Sequence, residues 1–249
     1  MKRVMIIGDI MLDHYLIGGC SRISPEAPVP VVVIEKEEWR LGGAANVANN
    51  LASLGVDSIL VGLCGIDEPG RQLEQKLAHN SKIRGELCKI QGRPTTVKTR
   101  VLVGGHQMLR IDREETVHIH GHEESLLIDS VRTLATDCDL ILISDYQKGV
   151  LSRKILQAIF KIATELGKTT IVDPKSSDFT MYKGADFIKP NRKEAELATQ
   201  MKITDSISLE AASQKIAELT RARGVITTLS EDGVAVYYKG KLDIIPTRA

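Results

Sequence analysis

A pair of glycines with a polar residue three positions later marks the segment of this chain with the clearest chemistry. Gly42-Gly43 precedes Asn46 within a run of helical period that extends to Gly55. Glycines let a backbone approach a ligand closely, and the first free N–H groups of a helix receive hydroxyls or anions. Asn46 adds a side-chain donor and acceptor there. The pattern predicts a small-molecule site or, as the simpler alternative, a glycine turn that caps an alanine-rich helix.

Overall charge and cysteine spacing exclude several classes of protein. The 249 residues carry 33 basic and 32 acidic side chains, a net charge of +1, so no global field favours a nucleic acid or a membrane as partner. Any anion recognition must therefore be local. The four cysteines form no Cys-x-x-Cys pair, which indicates reduced thiols and a cytoplasmic location.

Short apolar runs alternate with longer segments of helical period along the whole chain. This alternation predicts an α/β fold, a doubly wound and mostly parallel sheet in a single domain over residues 1–249. The predicted strands are 4–7, 59–63, 140–143, 170–172, 187–188 and 225–228, with a closing hairpin of 234–238 and 242–245. The predicted helices are 44–54, 69–79, 121–135, 152–166, 191–199 and 208–222, with Asn191 and Ser208 as N-caps.

Two segments, residues 29–41 and 83–112, break this alternation. Both show the period of two that is typical of antiparallel strands, without crossover helices between them. They predict a small second sheet that lies over the carboxyl ends of the parallel strands. Such a lid would exclude water from a reaction.

With these elements placed, the chain resembles the ribokinase-like (PfkB) carbohydrate kinases. The family's first signature is matched by residues 42–55. Further motifs resemble one subgroup, the D-glycero-β-D-manno-heptose 7-phosphate kinases of lipopolysaccharide core synthesis. These motifs are Gly8–Asp13, Ser21–Pro30, Gly92–Arg100 and Ser144–Gly149.

The resemblance implies an ATP- and Mg²⁺-dependent kinase that phosphorylates O1 of the heptose 7-phosphate, for ADP-heptose and lipopolysaccharide core synthesis. Two alternatives stay open: another ribokinase-like sugar kinase, and a sugar-binding protein that catalyses nothing. The resemblance also implies a homodimer through the lid. In some relatives a nucleotidyltransferase domain follows the kinase domain.

The sugar site follows from the resemblance residue by residue. Asp13, predicted at the end of the first strand, resembles the carboxylate that accepts hydrogen bonds from sugar hydroxyls, and Gly42, Gly43 and Asn46 complete the cradle. A sugar phosphate also needs basic residues. Those expected on the lid strands are Lys98 and Arg110, with Arg100 on the same strand face as Lys98.

The ATP site follows in the same way. Asn191-Arg192-Lys193-Glu194 looks like the family's Asn-x-x-Glu motif, in which Glu194 organises Mg²⁺ through water. A capping box without a metal is the alternative. Asp145, Lys148, Asp173 and Lys175 are predicted to lie at the same edge of the sheet, where Lys175 could reach a phosphate.

The nucleotide-binding turn runs from Leu229 to Gly233, with Ser230 where the family usually has glycine. If that position needs a positive φ, serine costs about 1 kcal/mol there.

The family's second signature, Gly-Ala-Gly-Asp, supplies the catalytic base and the N–H groups that hold the transferred phosphoryl group. It is absent from this sequence, which ends at Ala249 where the family pattern is about to reach that turn. We therefore expect the base beyond Ala249, and negligible kinase activity from these residues alone.

Overall fold

The computed structural model describes residues 2–247, and within them nine strands form a central sheet and four form a second sheet. The strands are β1 (Arg3–Gly8), β2 (Ile10–Ile23), β3 (Pro30–Gly43), β4 (Asp57–Gly65), β5 (Ile83–Ile90), β6 (Thr96–Val103), β7 (His106–Arg113), β8 (Leu140–Ser144), β9 (Thr169–Asp173), β10 (Phe187–Ile188), β11 (Gly224–Thr228), β12 (Val234–Tyr238) and β13 (Lys241–Ile245). The helices are α1 (Ala44–Ser53), α2 (Glu68–Ala78), α3 (His122–Leu134), α4 (Arg153–Glu165), α5 (Arg192–Thr199) and α6 (Ser206–Thr220).

The central sheet has the order β13-β12-β11-β10-β9-β8-β1-β4-β5, parallel from β11 to β5, and β12 and β13 form the predicted hairpin. Its inner strands, such as β1 and β4, are buried on both faces, as the apolar runs predicted. In β1, Met5 and Ile7 enter one core with α3, α4 and α6, whereas Val4 and Ile6 enter a second core with α1 and α2. The prediction of a doubly wound α/β fold is confirmed.

The second sheet differs from the predicted lid in two respects. Its order is β3-β2-β6-β7, so β2, which was not predicted, lies at its centre. The prediction that residues 83–112 all belong to the lid is wrong for β5, which pairs in parallel with β4 at the edge of the central sheet. Only the two end residues of this edge strand are buried, so β5 lacks the continuous apolar run of the inner strands and its sequence resembles that of a lid strand.

The start of α6 differs from the prediction. Asp205 is its N-cap, because the Asp205 Oδ1 accepts the N–H of Ser208 over 2.8 Å and the Ser208 Oγ accepts the N–H of Asp205 over 3.1 Å. Ser208 is thus the third helical residue of a capping box, not the cap. Asn191 caps α5 as predicted.

The cysteines and the helices can be compared with what the composition indicated. The four cysteines carry free thiols, and burial raises the pKa of Cys64 to about 11. No helix within residues 2–247 is both long enough and apolar enough to cross a bilayer.

Candidate active site

The glycine pair forms a tight turn between β3 and α1. Gly43 has a φ of 56°, and a Cβ at this position would lie 2.3 Å from the carbonyl oxygen of Asp9. The N–H of Ala44 donates to the same carbonyl over 2.9 Å. A Cβ on Gly42 would lie 2.7 Å from Oδ2 of Asp13. Both positions therefore favour glycine, and the carboxylate of Asp13 lies directly beside the turn.

Asp13 and Asn46 line one cleft of about 530 Å³. Its other lining residues are Tyr15, Trp39, Arg40, Leu41, Asn49 and Lys76. Asp13 lies on β2 of the second sheet, so its predicted place at the end of the first strand is wrong. Its Oδ1 accepts a hydrogen bond from Arg100 Nη1 over 2.6 Å, and within residues 2–247 its Oδ2 has no hydrogen-bond partner. A carboxylate with one free oxygen beside an amide suits the binding of neighbouring hydroxyls.

Lys98 and Arg110 lie on the second sheet, as predicted, but both bind carboxylates there. The Lys98 Nζ lies 2.9 Å from Asp112 and 3.0 Å from Glu114, and the Arg110 Nε lies 2.9 Å from Asp112. Burial acts to raise the pKa of Glu114, but hydrogen bonds from Lys148 and Lys98 outweigh it and hold that pKa below its usual value. Neither Lys98 nor Arg110 is among the described residues that line the cleft.

Asp9 is a site residue whose role the sequence analysis did not predict. It is 1% exposed, and its Oδ2 accepts the N–H groups of Tyr146 over 2.7 Å and Lys148 over 3.1 Å. Its Oδ1 accepts the N–H of Val150 over 3.3 Å. Burial raises its pKa although the three donors oppose that shift. Asp9 thus attaches the loop after β8 to the end of β1, and its place in the Gly8–Asp13 motif was the available signal.

The side chain of Asp145 is also buried. Its Oδ2 accepts the hydroxyl proton of Tyr182, and its Oδ1 accepts the N–H of Gln147 over 2.7 Å. Burial raises its pKa. Gln147 has a φ of 55°, a left-handed conformation that costs a non-glycine residue free energy. These contacts fix the loop that carries Tyr146.

Paired charges occupy the same edge of the sheet at the ends of β9 and β10. The Lys189 Nζ lies 3.0 Å from Asp173 Oδ1, and the Lys175 Nζ lies 3.0 Å from Glu194 Oε1. Burial raises the pKa of Asp173 although Lys189 opposes the shift. Both oxygens of Asp145 accept hydrogen bonds from the protein, whereas Asp173 is paired through Oδ1 alone. The expectation that the base belongs to the second signature stays a prediction.

Asn191 and Glu194 form a reciprocal capping box at the start of α5. The Asn191 Oδ1 accepts the N–H of Glu194 over 2.9 Å, and the Glu194 Oε2 accepts the N–H of Asn191 over 2.9 Å. The capping that the simpler alternative predicted is therefore present. No group of three or more metal-ligating side chains occurs in the described part of the chain.

A second cleft of about 420 Å³ lies beside this helix start. Four of the residues predicted to bind ATP line this cleft, namely Asn191, Arg192, Lys193 and Ser230. Thr228, Leu229 and Glu231 complete the lining. Glu194 and Gly233, also predicted, are not among the described residues that line it. Arg192 Nη2 donates to Asp232 over 2.7 Å.

Comparison with known proteins decides the family. Residues 1–248 match the sequence profile of the pfkB family carbohydrate kinases. The chain belongs to this family. It is thus a sugar kinase by family, and the pfkB kinases use ATP as phosphoryl donor.

Curated relatives are about twice as long as the chain. The bifunctional protein HldE of Desulfatibacillum aliphaticivorans is 44% identical over 239 residues, 96% of this chain and 49% of the relative. HldE of Helicobacter hepaticus is 40% identical over 247 residues, 99% of this chain and 51% of the relative. The chain therefore spans about half the length of the curated relatives that it matches.

Solved structures confirm the pfkB fold. Phosphofructokinase-2 from Escherichia coli in complex with fructose-6-phosphate has a TM-score of 0.80 and 20% identity, over 99% of this chain and 80% of that one. Arabidopsis thaliana ribokinase complexed with ribose and ATP has a TM-score of 0.73 and 18% identity, over 99% of this chain and 78% of that one. Identities this low establish the fold alone.

One substitution tests the turn of this pfkB domain after β11. Ser230 is exposed and has a φ of 55°. This is the positive φ at which a serine is expected to cost free energy relative to glycine. We expect Ser230→Gly to raise the free energy of unfolding by about 1 kcal/mol or less, because relief of a left-handed strain of about 1–2 kcal/mol outweighs the greater freedom of glycine in the unfolded chain. Urea unfolding measures the change. Ser230→Ala, which keeps the Cβ, should give no gain, and a less stable glycine variant would contradict the argument.

Proposed function

We propose that this chain is a kinase domain that transfers the γ-phosphoryl group of ATP to O1 of D-glycero-β-D-manno-heptose 7-phosphate. The observation that carries the proposal is the cleft that the Asp13 carboxylate and Asn46 line together with the cations Arg40 and Lys76. The HldE relatives at 40% and 44% identity and the sequence motifs support the heptose phosphate as substrate. The product would serve ADP-heptose and lipopolysaccharide core synthesis.

The first cleft would hold the sugar. Asp13 Oδ2 accepts hydrogen bonds from hydroxyls, and the Asn46 amide donates and accepts beside it. Arg100 fixes the orientation of the Asp13 carboxylate through Oδ1. Gly42 leaves room for the Asp13 carboxylate, and Gly43 leaves room for the carbonyl oxygen of Asp9.

The second cleft would hold ATP. Arg192 and Lys193 bring positive charge to a cleft at the start of α5, and phosphoryl transfer depends on positioning and on charge neutralisation. Lys175 and Lys189 add positive charge at the edge of the same sheet, each paired with one carboxylate. The paired state keeps these cations in place when no anion is bound.

Glu194 fits a Mg²⁺ ion held through water. Each of its oxygens makes one hydrogen bond, to Lys175 or to the N–H of Asn191, and each retains a lone pair for a water molecule. If Glu194 bound Mg²⁺ directly, the ion would compete with its hydrogen bonds from Lys175 and from the N–H of Asn191. When bound, Mg²⁺ would neutralise charge on the nucleotide phosphates.

The second sheet would also form a homodimer interface. Its edge strands β3 and β7 carry exposed apolar side chains, and a second copy of the sheet would cover them. These side chains are Val33, Ile34, Met108, Leu109 and Ile111. Light scattering after size-exclusion chromatography measures the oligomeric state.

Titration calorimetry with a panel of sugars tests the substrate. We expect D-glycero-β-D-manno-heptose 7-phosphate to bind more tightly than the unphosphorylated heptose, fructose 6-phosphate or ribose. Tighter binding of fructose 6-phosphate or ribose would favour another ribokinase-like kinase. Binding of the heptose phosphate without binding of an ATP analogue would favour a protein that binds sugar and catalyses nothing.

Asn46→Ala tests the cradle itself. The variant loses one amide beside Asp13, so we expect sugar binding to weaken by about 1–3 kcal/mol if a buried hydrogen bond is lost. Calorimetry with the heptose phosphate measures the change. Asn50→Ala on the same helix, exposed and outside the set of lining residues, is the control. Unchanged affinity in Asn46→Ala would support the plain glycine-turn interpretation.

A further inference from the structure

Two arginines flank an aromatic ring that lines the sugar cleft, and of the two arginines Arg40 is itself among the described lining residues. Tyr15 lies on β2, the central strand between β3 and β6, and it lines the cleft with Asp13 and Arg40. The guanidinium carbon of Arg40, on β3, lies 4.9 Å from the centre of the Tyr15 ring. That of Arg100, on β6, lies 5.4 Å from it. Strand pairing thus brings two cations to the face of the sheet that carries Asp13.

Both guanidinium groups keep unused donors. Arg100 bonds through Nη1 to Asp13 Oδ1 over 2.6 Å and to the Lys98 carbonyl over 3.3 Å. Its Nε and Nη2 make no hydrogen bond within the part of the chain that the structure describes. Arg40 bonds to Glu38 through Nε and Nη2, which leaves Nη1. A guanidinium has five N–H donors, so both groups can accommodate further acceptors.

If Arg40 released Glu38, the Glu38 carboxylate would still be paired with Lys36. Lys36 also contacts Glu38, and hydrogen bonds from Lys36 and then Arg40 hold the pKa of Glu38 below its usual value. Arg40 is 63% exposed and can turn toward an anion in the cleft. Lys98, by contrast, is 13% exposed and lies between two carboxylates. A phosphate at Lys98 would have to displace one of them.

We propose that Arg40 and Arg100, spaced by the ring of Tyr15, form the subsite for the phosphate monoester of the sugar substrate. The subsite rests on the proposed function, since it takes the phosphate of the sugar whose hydroxyls Asp13 and Asn46 bind. Arginine suits this task because its planar fork matches two phosphate oxygens. Arg100 then has two roles, because one of its nitrogens orients Asp13 and the others face the phosphate.

The test compares two probes, D-glycero-D-manno-heptose 7-phosphate and the unphosphorylated heptose, by calorimetry on the full chain. The readout is the ratio of the two dissociation constants, which a merely structural change would not move. We expect Arg40→Met and Arg100→Met each to lower the preference for the phosphorylated sugar by about tenfold or more. Arg71→Met is the control, because Arg71 is an exposed arginine paired with Glu68 on α2 and does not line the cleft.

The outcomes separate the subsite from the proposed function. If wild type prefers the phosphorylated sugar and both Arg40→Met and Arg100→Met keep that preference, the subsite is overturned while the proposed function stands. The same holds if only Lys98→Met or Arg110→Met lowers the preference, which would place the phosphate between β6 and β7. If wild type binds neither probe, or binds both equally, the proposal of a heptose phosphate substrate fails together with the subsite. Thermal melting of each variant confirms that it is folded.

Discussion

Asp9→Ala is expected to lower the free energy of unfolding by about 3 kcal/mol, the largest effect on stability among the substitutions considered for this protein. The variant leaves the N–H groups of Tyr146, Lys148 and Val150 without their acceptor. A buried donor without a partner costs about 1–3 kcal/mol. Removal of the buried carboxylate returns part of that cost, because its burial is itself unfavourable, as its raised pKa indicates.

Urea unfolding of wild type and variant measures this difference. The control is Asp205→Ala, which removes an exposed N-cap that accepts one N–H, and it should cost about 1 kcal/mol. A loss no larger than that of Asp205→Ala would show that water can replace the Asp9 carboxylate.

The central sheet could be predicted because its strands are buried on both faces. Continuous apolar runs such as Val4–Ile7 indicate buried strands rather than loops. Glycine turns and N-caps such as Asn191 mark where the helices begin. Periodicity does not reveal which sheet a strand joins. The half-exposed β5 therefore looked like a lid strand. The first residues of β2, Ile10–Leu12, are buried and follow β1 after one residue, so the two strands looked like one.

The candidate site could be predicted only where its residues are close in sequence. Gly42, Gly43 and Asn46 lie within one turn, and the structure places Asp13 beside them through the pairing of β2 with β3. Arg40 and Arg100 reach the same ring from strands sixty residues apart in sequence order, a register that no local pattern encodes. The carboxylates that hold Lys98 lie 14 and 16 residues away across the β6–β7 hairpin, whereas Asp112, which holds Arg110, is only two residues away on the same strand.

Asp13→Ala is expected to weaken binding of both the heptose and its 7-phosphate by about 100-fold or more. The carboxylate would accept hydrogen bonds from the sugar hydroxyls, and hydrogen bonds to charged groups contribute about 1.5–3 kcal/mol each. Calorimetry with both probes measures the loss. Asp57→Asn is the control, since Asp57 pairs with Lys82 and is not among the cleft-lining residues that the structure describes. Gly42→Ala should reproduce part of the loss, because its Cβ would lie 2.7 Å from Asp13 Oδ2.

The ratio of the two affinities distinguishes Asp13 from the arginines. Asp13→Ala frees Arg100 from its ion pair, so the preference for the phosphorylated sugar should be kept or should rise, whereas Arg100→Met should lower it. The two residues are in direct contact, and a shared structural effect would move both ratios in the same direction. If Asp13→Ala weakened only the binding of the phosphorylated sugar, Asp13 would act by holding Arg100 in place for the phosphate. It would then not be a ligand of the hydroxyls, and the sugar cradle would rest on Asn46 and the glycine turn alone.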